Sequence, residues 1–182
     1  MTVLAATKEG PVDLSDPEGK NISFAKMRGH GAGLLTLGLE ALARDAPTVS
    51  FVHTFPGLVK TGIGRDMSGV LGAVLTVFSL FGPLVGVPID TSGELNLYAA
   101  TSAQFPAREG GADGVPLLAG LGTSKGSNAK EGSGVYNIDE KNEAANAKVN
   151  ELLAQMRKDG KVEKVWDYAE SEFKRILGSG SV

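Results

Sequence analysis

The chain has 182 residues, of which 42% are hydrophobic and 21% charged, and its formal net charge is −3. This composition is typical of a soluble globular protein with one domain, and we take the cytoplasm as its default location because no signal peptide is visible at the N-terminus. Mild acidity without a dense Lys/Arg cluster argues against nucleic acid as a partner. The absence of cysteine excludes disulfides, thiolate metal sites and cysteine nucleophiles.

The first part of the chain predicts a strand, a loop and a helix. Residues 2–7 are apolar and predict a buried strand with no lead-in, an unusual way for a sequence to begin. A turn-rich loop over 8–20 leads to a helix over 23–44. Its expected apolar face has residues three and four apart: Met27, Gly31, Leu34, Leu35, Gly38 and Leu42. We interpret the glycines of this helix as places of close packing rather than of ligand approach.

A second buried strand is predicted around Val49, Phe51 and Val52, and it ends at a Pro56-Gly57 turn. Ligands of open α/β sheets bind beyond the carboxyl ends of strands, so a site is expected at this turn. The segment from Met67 to Ile89 then runs without a charge. Its glycines and prolines favour an apolar lid over a substrate; membrane-surface contact through 67–89 and a true span are the weaker alternatives.

The remaining elements follow from their patterns. Thr91 or Ser92 can cap a helix that runs to about Ser102, and a glycine-rich loop covers 105–134. The Gly120–Gly126 part of this loop resembles a phosphate-binding loop but lacks its spacing and context. A third strand is expected at 134–138, amphipathic helices at 143–158 and 162–177, and a disordered tail at 179–182.

The order strand, helix, strand, lid, helix, strand predicts an α/β fold with a three-stranded parallel sheet, flanking helices and an apolar lid at 62–90. Pro56-Gly57-x-Val59-x-Thr61 resembles the motif that ends the sixth strand of short-chain dehydrogenases/reductases. In that family the loop flanks the nicotinamide of NAD(P). The resemblance therefore implies that Pro56, Gly57, Val59 and Thr61 are vestigial cofactor-binding residues.

The resemblance covers the last three strands of that family, in order from Thr2 to about Ile138. It extends to divergent members from filamentous fungi, which share Lys8-Glu9-Gly10, Arg28-Gly29-His30 and Phe51–Gly57. It implies a partial Rossmann-like fold and a single truncated domain over 1–178, closed by the C-terminal helices within 140–177. It also implies that the helix at 23–44 forms a dimer.

Two parts of the family pattern are missing. No Gly-x-x-x-Gly-x-Gly turn is present, so this chain alone offers no helix N-terminus to the pyrophosphate of a dinucleotide. An ungapped count places Ser23 and Met27 where the family has its catalytic Tyr and Lys, and neither residue can replace that acid and base. We expect no cofactor in this chain alone, and NAD(P) is implied by the resemblance only.

The two histidines are the remaining candidates for chemistry. A histidine at a strand's carboxyl end beside a cleft can act as a general base, which makes His53, and after it His30, the catalytic candidates. A satisfied structural histidine is nevertheless the commoner case. Two histidines without local ligand spacing argue against a metal site. Lys26 and Arg28 could orient an anionic substrate, although a solvated helix face is the simpler interpretation.

Three hypotheses remain. We favour a truncated short-chain dehydrogenase/reductase, an oxidoreductase by ancestry that is inactive as it stands. The second is a cofactor-independent isomerase, cyclase or dehydratase that acts on an apolar small molecule through His53 or His30. The third is a non-catalytic homo-oligomeric module in which a second copy covers the open edge of the first strand, an edge that the missing N-terminal half would otherwise pair with.

Overall fold

The computed structural model describes residues 1–59, 86–111 and 113–178. Within these ranges the elements are β1 (Thr2–Val3), α1 (Phe24–Asp45), β2 (Phe51–Thr54), α2 (Ile89–Thr101), β3 (Val135–Ile138), α3 (Ala147–Lys158) and α4 (Lys161–Leu177). Most of the predicted lid at 62–90, Thr61 and the tail at 179–182 lie outside the described residues. In the part of the chain that is described, no helix combines the length and the apolar character that a membrane span requires.

The three strands form one parallel sheet in the order β1-β2-β3. The register places His53 of β2 between Thr2 of β1 and Asn137 of β3. Parallel neighbours need a crossover connection, and α1 supplies it between β1 and β2. The predicted α/β fold with a three-stranded parallel sheet, consistent with a partial Rossmann-like fold, is therefore confirmed.

The two faces of the sheet carry different partners because successive strand residues point to opposite sides. On one face a cluster joins the sheet to α2: Val52, Ala99, Phe105, Tyr136 and Ile138. On the other face a cluster joins it to α1: Leu39, Ala43 and Val135, with Leu35 and Phe51 packed against them. His53 and Asn137 alternate with Val52 and Tyr136, so both lie on the face that α1 covers.

The side of α1 away from the sheet is covered by α3 and α4. The shared core consists of buried apolar residues: Val12, Leu37, Ala41, Val149, Leu153, Met156, Val162 and Val165. The amphipathic pattern predicted for α3 is confirmed, because Val149, Leu153 and Met156 are buried on one side of it, and Trp166 of α4 packs against this core. Arg157 of α3 also makes two hydrogen bonds of 2.9 Å to the carboxylate of Glu40 on α1.

The predicted apolar face of α1 is right in its middle, where Leu34 and Leu35 pack against the core, and wrong towards its two ends. Met27 and Leu42 are each 36% exposed. The buried residues are His30, Ala32, Gly33, Thr36, Leu37, Leu39, Ala41 and Ala43. The reason is that α1 is buried on two sides, by the sheet and by α3 and α4. Six of these eight buried residues are small or polar, and a search for a single apolar stripe does not find them.

Several predicted boundaries are also corrected. β1 has two residues instead of six, because the chain turns between Ala5 and Lys8, where the Lys8 N–H donates to the Ala5 carbonyl. β2 begins at Phe51, and Val49 before it is exposed. α2 begins after Pro88, so neither Thr91 nor Ser92 caps it. α3 begins at Ala147 rather than 143, because the side chain of Asn146 caps it by accepting a hydrogen bond from the Val149 N–H.

Close backbone packing joins the loop after β1 to the first turns of α1. The Gly10 N–H donates to the Gly29 carbonyl over 2.8 Å. A Cβ atom on Gly29 would lie only 3.0 Å from the Gly10 Cα atom, whereas a Cβ on Gly31 would meet nothing within 4 Å. The interpretation of the helix glycines as close-packing positions is therefore confirmed for Gly29 and wrong for Gly31.

The glycine pair gives a matched test. Gly29→Ala should lower the free energy of unfolding by about 1–3 kcal/mol, because the loop must move away from the helix. Gly31→Ala should raise it by about 0.5–1 kcal/mol, because alanine favours a helix and has room here. Urea denaturation of both variants checks this, and equal effects of the two substitutions would contradict the packing described above.

Candidate functional site

Three segments that are far apart in the sequence meet at the carboxyl end of β2. They are Lys8–Gly10, Arg28–His30 and Phe51–Gly57, the same segments on which the fungal resemblance rests. We call their junction the three-segment site. It has an inner part, a buried network of polar side chains, and an outer part, two cations on an aromatic ring.

The inner part is centred on the hydroxyl of Thr36, which points from α1 towards the sheet. Its Oγ1 atom lies 3.0 Å from Glu9 Oε1 and 3.1 Å from both His53 Nδ1 and Asn137 Nδ2. Asn137 Nδ2 also donates to Glu9 Oε1 over 2.9 Å. We call Glu9, Thr36, His53 and Asn137 the polar network. All four side chains are buried, and those of Glu9 and His53 are 0% exposed.

The hydrogen bonds determine which nitrogen of His53 carries the proton. The Ala5 N–H donates to His53 Nε2 over 3.4 Å, so Nε2 acts as an acceptor and has no proton. The proton is then on Nδ1, which donates to Thr36, and the Thr36 hydroxyl donates onward to Glu9. Burial lowers the pKa of His53 to about 4, so the imidazole is neutral at physiological pH.

Glu9 is the acid of the network, and its charge is costly to bury. Desolvation raises the pKa of Glu9, against the opposing effect of hydrogen bonds from the backbone and from Thr36. Glu9 Oε2 and Asn137 Oδ1 are buried and have no hydrogen-bond partner among the described residues. The network therefore links four parts of the fold: α1, β2, β3 and the loop that follows β1. Its hydrogen-bonded oxygen and nitrogen atoms are buried and do not reach solvent.

His30 is the second predicted catalytic residue, and the structure places it apart from His53. Its Nδ1 accepts a hydrogen bond of 3.2 Å from the Asp13 N–H, and its Nε2 lies 3.1 Å from the Pro17 carbonyl. The side chain is buried. His30 thus ties the loop before α1 to the helix, and both ring nitrogens are occupied by backbone groups.

The outer part of the three-segment site is built on Phe55, the residue after β2. The Arg28 guanidinium carbon lies 4.5 Å from the centre of the Phe55 ring, and Lys8 Nζ lies 5.5 Å from it. Both distances are within the range of cation–π interactions. Both basic residues are exposed. Among the ion pairs formed by described residues, none includes Lys8 or Arg28.

The positions that the resemblance assigns to a catalytic Tyr and Lys are on the surface. Ser23 is the N-cap residue of α1, is exposed, and makes no side-chain capping hydrogen bond. Met27 is partly exposed and lies beside Gly19, where a Cβ atom would meet its sulfur at 2.7 Å. Neither side chain is an acid or a base at neutral pH.

The predicted cofactor loop follows Phe55. Gly57 has a left-handed φ of 74°, and a Cβ there would meet Glu140 and Val87 at 2.9 Å, so only glycine fits without a shift. Val59 pairs with Val87 in a parallel bridge. A cavity of about 10 Å³, room for one water, lies beside Phe55 and Pro56. Within the described ranges no group of three potential metal ligands is found.

Sequence reasoning identified the histidines and the Pro-Gly turn, but it missed Thr36 and Asn137. Each is a single polar residue in a buried, mainly apolar stretch: Thr36 between Leu35 and Leu37, and Asn137 in β3. An isolated polar residue on a buried element must find a hydrogen-bond partner, which is the signal that could have revealed both.

The fold is that of a partial Rossmann-like α/β protein. Comparison with known proteins found three that are similar in sequence to this chain. The chain is 35% identical over 156 residues to the oxidoreductase AN1596 of Emericella nidulans, covering 83% of this chain and 45% of that protein. It is 31% identical over 159 residues to the oxidoreductase andH of Emericella variicolor, covering 82% and 44%. It is 32% identical over 188 residues to the NmrA-like family domain-containing oxidoreductase notO of an Aspergillus species, covering 99% and 50%.

The chain thus spans about half the length of the curated relatives it matches. No family model matches it, and no solved structure does. Similarity to three fungal proteins named as oxidoreductases supports oxidoreductase ancestry for this chain.

Thr36 is the residue whose loss should damage the network most. Thr36→Val keeps the shape of the side chain but leaves Glu9 and His53 each short of a partner in a buried place. We expect the free energy of unfolding to fall by about 2–4 kcal/mol. Thr101→Val, on the exposed end of α2, is the control and should change it by less than about 0.5 kcal/mol. Similar losses in both variants, measured by urea denaturation, would show that the network does not stabilise the fold.

The neutral state of His53 predicts a dependence of stability on pH. The pKa of His53 is about 4 in the folded chain and has the ordinary value of 6.5 in the unfolded chain. At a pH between these two values, the unfolded chain binds one more proton at this residue than the folded chain does. The free energy of unfolding should therefore rise from pH 4 to 6.5, by up to roughly 3 kcal/mol from this group. Glu9 acts in the opposite direction, since stability is lost as pH rises through its raised folded pKa.

Urea denaturation at several pH values tests this with His53→Asn. The variant should be less stable throughout, but its stability should rise less steeply than that of the wild type between pH 4.5 and 6.5. Parallel pH profiles for the two proteins would mean that His53 titrates normally in the folded state.

Proposed function

We propose that this chain is a partial short-chain dehydrogenase/reductase, derived from an oxidoreductase, that does not bind NAD(P) by itself. The observation that carries the proposal is the Pro56-Gly57 turn at the carboxyl end of the middle strand, where Gly57 has no room for a side chain. This is the place and the turn that the resemblance assigns to the nicotinamide side of the family's fold. Similarity to fungal oxidoreductases over about half their length supports the proposal.

The proposed inability to bind a dinucleotide rests on what the pyrophosphate needs. Such sites use a glycine-rich turn that opens a helix after a strand, so that backbone N–H groups and the helix dipole face the phosphates. The 182 residues contain no Gly-x-x-x-Gly-x-Gly sequence. Ser23 and Met27 offer no proton donor where hydride transfer would need one. Binding and chemistry would therefore require residues from another polypeptide segment.

The geometry favours a positioning role for His53 and His30 over a role as general base. A general base must reach the proton that it removes, directly or through one water. His53 is 0% exposed and its two nitrogens are used by Ala5 and Thr36. A cofactor-independent isomerase, cyclase or dehydratase acting through His53 would require the polar network to open. An apolar substrate and contact with a membrane surface were inferred from 67–89, most of which lies outside the described residues.

We further propose that the open edge of β1 is covered by the part of the oxidoreductase fold that this chain does not contain. In the described structure β1 pairs with β2 on one side only, and the adjacent Val3 and Leu4 are 52% and 51% exposed. Such an edge pairs readily with another strand. The alternative, a homodimer through α1, is less favoured because α4 of the same chain already lies along this helix, with Val165 next to Gly38.

Calorimetric titration with NADPH and NADH tests the central proposal. Purified chain that is monodisperse by light scattering and melts cooperatively should show no binding of either cofactor up to about 1 mM, because the pyrophosphate site is missing. Binding in the micromolar range would overturn the proposal. A stable dimer in light scattering would favour a second copy as the partner of the β1 edge.

A further inference from the structure

We propose that Lys8 and Arg28, held against Phe55, form a binding site for an anionic oxygen group, either the carboxylate of an organic acid or the phosphate of an ester. The inference concerns the outer part of the three-segment site. It does not depend on the proposed relation to dehydrogenases, because it is argued from the positions of Lys8, Arg28 and Phe55 alone.

The first support is the concentration of positive charge. Both cations lie within 5.5 Å of the centre of one ring, so their charges are no more than about 10 Å apart. No carboxylate among the described residues lies within 4 Å of either, whereas Arg44, Arg157 and Arg175 each have one. Because the two charges are this close, an anion that contacts either group is also attracted by the other.

The second support is that both cations are held in place. The Gly10–Gly29 backbone contact fixes the segment after Lys8 against the helix turn that carries Arg28. Phe55 is anchored by its own N–H, which donates to the Ile138 carbonyl over 2.9 Å. Contact with the ring restricts both long side chains before a ligand arrives, so less conformational entropy is lost on binding.

The third support is the location. Phe55 directly follows β2 and precedes Pro56-Gly57, and the region beyond the carboxyl ends of strands is where α/β sheets bind ligands. Arg28 lies in the second turn of α1, and the first turn of that helix contains no acidic residue that would offset its charge. A guanidinium group can also form two parallel hydrogen bonds to a carboxylate or a phosphate.

Titration of the folded chain with inorganic phosphate and with acetate, followed by NMR or calorimetry at about 20 mM ionic strength, tests the site. Lys8→Gln and Arg28→Gln should each weaken binding at least about 5-fold, since each removes one of two charges. Phe55→Leu should weaken it too, because the cations lose their shared support. Lys148→Gln, which removes an exposed charge from α3, is the matched control and should leave affinity within about 2-fold.

The two ligands separate the possible sources of the anion. Tighter binding of phosphate identifies a phosphate ester, and tighter binding of acetate identifies an organic acid; either result supports the site if the control variant is unaffected. The inference is overturned if neither anion binds below about 20 mM, or if Lys148→Gln weakens binding as much as Arg28→Gln does. Thermal melting of each variant shows that a lost response does not come from unfolding.

Discussion

The hydroxyl group of Thr36 is the single contact on which the arrangement of the fold depends most. It joins a helix, two strands and a loop, because it accepts from His53 and Asn137 and donates to Glu9. Buried polar groups are costly without partners, so few other placements of α1 on the sheet would bring all four side chains into contact at once, although Glu9 Oε2 and Asn137 Oδ1 have no partner within the described residues. Apolar packing alone would tolerate a small shift of the helix, whereas this network does not.

The sequence predicted the sheet well and the helix on it poorly. The middle strand and its Pro-Gly turn follow from a short apolar run and a strong turn signal, and the parallel order follows from the intervening helix. The face of α1 was predicted only in part, because His30 and Thr36 count as polar in an amphipathic pattern, although both are buried. Periodicity works where a helix has one solvent face, as in α3, and fails where a helix is covered on two sides.

For the candidate site, the positions of several residues could be predicted from the sequence, but their roles could not. Lys8-Glu9-Gly10 was notable only as a shared segment, and Arg28 and His30 were considered only one by one; no local pattern shows that the two segments touch. The structure gives two adjacent residues different roles. Glu9 points into the polar network, whereas Lys8 contacts the ring of Phe55 in the outer part of the site. Such a division depends on a left-handed Thr7 and on a contact between two glycines, and neither can be read from residue types.

The inner and outer parts of the site are coupled through charge. An ionised Glu9 beside Lys8 would offset part of the positive potential that the outer cations present to solvent. Burial raises the pKa of Glu9 and so favours its neutral form, while it keeps His53 neutral as well. With Glu9 held by hydrogen bonds inside the buried network and in no ion pair with either cation, Lys8 and Arg28 stay available for an anion.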